Sequence, residues 1–236
     1  MTAAAHGTTV TGALVAVAAL GYAQLTLPAQ PLISDYVLIS GGPAPVLIGM
    51  LALAGACLSL GYALAATEPG RSAATRVLLL AATAGLMLSA VFPTDTSELK
   101  SLSGEIHRWA AAVVFTALPV AGWALARGRT ALPRWNAVRA LSVTAALTLA
   151  VYLAAHPASF VSSWIDGAAY YGLLERALVL ADIALVVAMS VAARRSATGV
   201  PAAVPAREPT HEPAREPARA SGSEPGSGSR DERLAA

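Results

Sequence analysis

Two acidic residues seven positions apart, Glu175 and Asp182, interrupt an apolar run of this 236-residue chain. On a helix that spacing puts both on one face, about two turns apart, and turns the neighbouring Arg176 roughly 100° away. An ionisable group at the centre of a membrane helix costs about 2.5 to 3.5 kcal/mol on insertion scales. Asp182 lies near the middle of its run and must therefore face the interior of a bundle, where it needs a partner or a purpose. Glu175 and Arg176 also have a plainer reading, in which they pair with neighbouring helices and fix their packing.

A second set of residues stands at the ends of other apolar runs: Asp35 in Ser34-Asp35-Tyr36, Asp95 in Phe92-Pro93-Thr94-Asp95, then Glu105, His107 and His156. If the third, fourth and fifth runs are neighbours, Asp95, His107 and His156 reach one region. Two imidazoles and a carboxylate are donor types that hold a metal or move protons. Their spacing fits no HxxxH or HExxH pattern. The alternative is capping, since Asp95 and Thr94 are the residue types that begin helices well. Cys57, the only cysteine, lies in an apolar run and reads as a small buried hydrophobe. His6 stands alone and is assigned no role.

The elements that must position these groups follow from composition. Hydrophobic residues make up 56% of the chain and charged residues 13%, about half the charged share of ordinary soluble domains. The charges are concentrated further, because the last 36 residues hold five of the sixteen basic and six of the fourteen acidic side chains. What precedes them contains six apolar runs, Thr8 to Leu27, Pro45 to Ala66, Thr75 to Phe92, Ile106 to Ala126, Val138 to Ala155 and Ala168 to Ala193. Each approaches the roughly 20 residues that cross a hydrocarbon core of about 30 Å. They are rich in Ala and Leu, lack period-two alternation, and are separated by Pro and Gly, so they read as helices. The expected fold is all-α: a polytopic membrane helix bundle of six transmembrane helices over residues 1–196, with a disordered cytoplasmic tail at 197–236 whose Pro-, Ala-, Glu- and Arg-rich sequence cannot build a core. The first run has no Lys or Arg ahead of it and is expected to be an uncleaved span rather than a secretory signal.

Sidedness follows from arginine. Arg71, Arg76, Arg127, Arg129, Arg134, Arg139, Arg194 and Arg195 flank alternate connections and belong on the cytoplasmic side, while Asp35, Asp95, Glu98, Glu105 and Asp166 face out. Both termini then lie inside. Trp109, Trp164, Tyr36, Tyr170 and Tyr171 are expected at the outer interface, and Trp123 and Trp135 at the inner one. A net charge of +2 with arginines confined to helix ends argues against nucleic acid. The absence of a phosphate loop, a nucleophile elbow and a row of gating cations argues against kinase, ATPase, serine hydrolase and voltage-sensor functions.

Ile33-Ser34-Asp35-Tyr36, Phe92-Pro93-Thr94-Asp95, Gly104 with His107, and Gly172-Leu173-Leu174-Glu175-Arg176 together resemble the domain of unknown function 998 family, over about residues 8 to 195. The resemblance implies a six-span protein of the bacterial plasma membrane with no assigned activity or cofactor, and it implies glutamine in many relatives where Glu175 stands here. Three functions stay open. In the leading one an outward-facing polar pocket binds a small molecule or lipid through Asp35, Asp95, His107, Arg176 and Asp182. In the second, His107, His156 and Asp95 hold a metal in an enzyme acting on lipid-like substrates. In the third the chain is a structural or regulatory partner, and a bundle this small can also pair with itself. Topology is directly testable: reporter fusions in the Asp95 and Arg134 connections are expected to report opposite sides of the membrane, and a shared side overturns the six-span order.

Overall fold

Lipid solvates neither N–H nor C=O, so a chain this apolar must close its backbone hydrogen bonds within each segment. The computed structural model describes residues 2–95, 101–130, 132–158 and 168–198, and among these the only regular elements are helical. They are α1 (Thr2–Thr26), a 3-10 turn (Ser34–Leu38), α2 (Pro43–Thr67), α3 (Ala73–Val91), α4 (Leu102–Ala126), α5 (Pro133–Ala158) and α6 (Ala168–Thr198). Among the described residues six helices are long and apolar enough to cross a membrane. The tail, Trp164, Asp166 and Glu98 lie outside the described residues, as does the side chain of His156.

Local chemistry explains the helix ends. Pro43 and Pro133 begin α2 and α5, where a proline's missing N–H is no loss. Ser101 caps α4 by accepting from the Gly104 N–H at 3.2 Å, which starts that helix four residues before Ile106. α4 continues as one helix through the buried Pro119.

Polarity is distributed the opposite way from a water-soluble protein. Leu25 is 86% exposed and Val91 66%, whereas Asp182 is 1% exposed and Glu175 7%. Only a hydrocarbon surround makes that arrangement favourable. Each helix packs on the next, and α6 also contacts α1, α2 and α4, so it runs through the middle of the bundle. Close approach uses small residues, as expected where lipid supplies no hydrophobic drive between helices. A Cβ on Gly85 of α3 would stand 2.7 Å from the Ala110 carbonyl oxygen of α4, and one on Gly12 of α1 would stand 2.7 Å from that of Ala52 in α2.

One end of the bundle is bound together by arginine. Arg129 forms an ion pair with Glu68, reaching its Oε1 at 3.1 Å, and lies 3.9 Å over the Trp135 ring. Arg71 donates to the Gly128 carbonyl at 3.0 Å, and Arg139 to those of Ala126 and Arg129 at 2.9 and 2.6 Å. The α2–α3 and α4–α5 connections thus share an end. His6 joins it from α1, with Nδ1 3.0 Å from Ser190 Oγ of α6, a contact with no trace in the sequence. Trp135 and Tyr36, at opposite ends of the bundle, are 2% and 1% exposed, so their rings face protein rather than lipid. Arg129 draws Trp135 inward, and Tyr36 packs beside Ala23 and Val46.

Glycine substitutions separate packing from helix propensity. Gly61 has nothing within 4 Å of its Cβ position, so Gly61→Ala is expected to stabilise by up to about 1 kcal/mol. Gly85→Ala is expected to destabilise by about 1 to 3 kcal/mol. Thermal unfolding of the two variants in one detergent should show opposite signs.

Candidate functional site

The end opposite the arginines is covered by the 27–42 connection, and two adjacent residues of α6 hold it there. Arg176 donates from Nε to Gln24 Oε1 at 2.8 Å, from Nη2 to the Gln30 carbonyl at 2.7 Å, and from Nη1 to the carbonyls of Pro31 and Gly172 at 2.9 and 2.7 Å. Glu175 Oε2 accepts the Ile33 N–H at 2.6 Å. The loop approaches so closely that a Cβ on Gly172 would stand 1.9 Å from the Pro31 oxygen, which makes glycine obligatory there. Within the loop, Asp35 Oδ2 accepts from the Leu32 N–H at 3.1 Å. Gly41 turns the chain with φ +82°, in the left-handed region that glycine enters freely.

Beneath this lid lies a cavity of about 90 Å³, room for more than one water. Its wall is mostly apolar, with Leu20, Met50, Leu53, Val114 and Val179, but Ser34, Ser89, His107, Glu175 and Asp182 also line it. Ser34 comes from the lid, Ser89 from α3, His107 from α4, and the two acids from α6. Among the described residues neither Lys nor Arg is in its lining. His107 Nδ1 lies 2.9 Å from the Phe92 carbonyl and 3.2 Å from that of Ser89. Carbonyls only accept, so Nδ1 is the donor in both contacts. Asp182 is the outlier: neither carboxylate oxygen has a hydrogen-bond partner among the described residues, and Ser89 Oγ likewise lacks one.

The residues picked from sequence therefore separate. His107 and Asp182 meet at the cavity, and Asp35 sits in its lid beside Ser34. Arg176 is engaged by the loop it holds. Asp95 serves the start of α4, accepting the Ser101 Oγ–H at 2.6 Å and the Ser101 N–H at 2.9 Å. It lies directly over Gly104, where a Cβ would be 1.8 Å from Oδ2. Among the described residues no group of three or more His, Cys, Asp or Glu is placed to hold a metal, and the side chain of His156 lies outside them. Sequence reading missed Ser34 and Ser89. The available signal for Ser89 was a lone hydroxyl in an otherwise apolar stretch of α3.

The two loop carboxylates titrate in opposite senses. Hydrogen bonds from the Ser101 hydroxyl and N–H hold Asp95 below the ordinary carboxylate range. Burial raises Asp35 above that range, against the opposing pull of the Leu32 N–H and Arg176. The Asp95 contribution is complete above the ordinary range and lost as pH falls through its lowered value. The Asp35 contribution is complete below the ordinary range and lost as pH rises through its raised value. Between about pH 3 and 6, Asp95→Asn is expected to remove part of the acid-side loss of thermal stability and Asp35→Asn part of the acid-side gain. Melting temperature against pH for both variants checks the two signs.

A family described as "protein of unknown function (DUF998)" matches residues 7–192. Neither the curated proteins nor the solved structures contain a match to the chain.

Proposed function

Because this chain belongs to that DUF998 family across all six helices, and the family brings no activity with it, we propose a function from the cavity itself: the protein is a membrane binding protein for a small solute bearing a cationic or strongly hydrogen-bond-donating group. The observation that carries this reading is Asp182, 1% exposed with both oxygens unpartnered among the described residues, beside a cavity that no described Lys or Arg lines. A buried carboxylate without a partner is strongly unfavourable, and a cation or donor from the solute relieves it. His107 Nε2 and Ser89 Oγ supply further polar groups, and the apolar wall accepts the remainder of the solute. The size of the cavity favours a compact ligand such as a monovalent cation or a small ammonium compound.

The lid supports the same reading. It is held in part by backbone hydrogen bonds, one accepted by Glu175 and others donated by Arg176, and such bonds can be released without disturbing the helices. By the arginine rule the lid end faces away from the cytoplasm of a bacterial cell, so the solute enters from outside.

Purified full-length protein in nanodiscs, titrated with sodium, potassium, ammonium and small alkylammonium ions, is expected to gain thermal stability with at least one of them. Asp182→Asn is expected to abolish that gain, and Asp95→Asn, which alters only the α4 cap, to retain it. Arg176→Gln is expected to speed hydrogen exchange at the Ile33 amide and to raise ligand on- and off-rates together. A response unchanged in Asp182→Asn, or none to any ion in the series, overturns the proposal.

A further inference from the structure

A second concavity, of about 660 Å³, runs along the outside of the bundle. α1 and α5 each pack on α6 but not substantially on one another, and the gap between them leaves a strip of α6 as its floor. The floor residues Leu180, Ala184, Val187 and Val191 recur at helical spacing, so they form one continuous apolar stripe. From Leu180 to Arg195 that stripe extends about 22 Å, more than the depth of one leaflet of a core of about 30 Å. Val17 of α1 and Ala137 of α5 form its sides.

Among the described residues every lining side chain is apolar except Arg134 and Arg195, at the arginine-rich end. Arg134 Nε is buried and has no hydrogen-bond partner among the described residues. The groove is thus apolar along its length and cationic at one end, the complement of a lipid with a negatively charged headgroup.

We propose that this groove binds an anionic phospholipid, with its phosphate between Arg134 and Arg195 and an acyl chain along the α6 stripe. Positive charge at the membrane surface recruits such lipids, and the guanidinium fork matches phosphate oxygens better than an ammonium does. The site is separate from the lid-end cavity, shares no lining residue with it, and stands whether or not that cavity binds a solute.

Native mass spectrometry of the full-length protein, titrated with phosphatidylglycerol or phosphatidylcholine of identical acyl chains, tests the proposal without any variant. One phosphatidylglycerol per chain is expected, with phosphatidylcholine clearly weaker. Removing each arginine is expected to weaken phosphatidylglycerol roughly fivefold, so the Arg134→Gln, Arg195→Gln double variant loses about 25-fold. Ala184→Phe, which leaves both arginines and fills the floor, is expected to lose it as well while helicity by circular dichroism stays unchanged. Equal retention of the two lipids, full binding in Ala184→Phe, or glycerol phosphate binding as tightly as the whole lipid overturns the proposal. So does a dimer that Ala184→Phe converts to monomer, because a second copy is then the occupant.

Discussion

Hydrocarbon cannot solvate charge, and the rest of this structure depends on how six helices answer that constraint. Charged and polar groups are either carried to the ends of the bundle or turned inward, and the inward ones must find partners among their neighbours. Glu175 succeeds by accepting a loop N–H, and His107 by donating to two carbonyls at the end of α3. Asp182 has no such partner among the described residues, and its isolation is what makes the adjacent cavity a candidate for ligand rather than a packing defect.

The two ends of the bundle are built differently. At one, guanidinium groups bridge connections that are distant in sequence, and Arg129 serves both Glu68 and Trp135. That end is tied helix to helix. At the other, Arg176 and Glu175 reach mainly loop backbone rather than charged side chains. Adjacent residues on α6 point about 100° apart, so the pair grips the connection from two directions. The loop becomes a cover whose polar attachment runs mainly to the helix that also carries Asp182 into the cavity, while Tyr36 packs it against α1 and α2.

Lipid faces and helix faces are nearly indistinguishable in composition here. α6 presents Ala and Val both to the centre, as at Ala192 and Val186, and to the outside, as at Ala184 and Val191. Apolar content therefore marks the spans but not their neighbours. Neighbour choice is carried instead by where side chains are absent, as at Gly12 against Ala52 and Gly85 against Ala110.

From sequence alone, the six spans, the gathering of arginine at alternate connections and the shared face of Glu175 and Asp182 were legible, because each depends on length, charge or a period within one helix. Tertiary structure decided the rest. That Asp95 closes a cap while His107 lines a cavity, that Arg176 holds the Pro31 and Gln30 carbonyls, and that Tyr36 and Trp135 turn into the core all depend on partners brought close only by packing. A one-dimensional pattern records what a residue must avoid, such as lipid for a carboxylate. It does not record which neighbour receives it, because that is set by the approach of helices through positions that have no side chain.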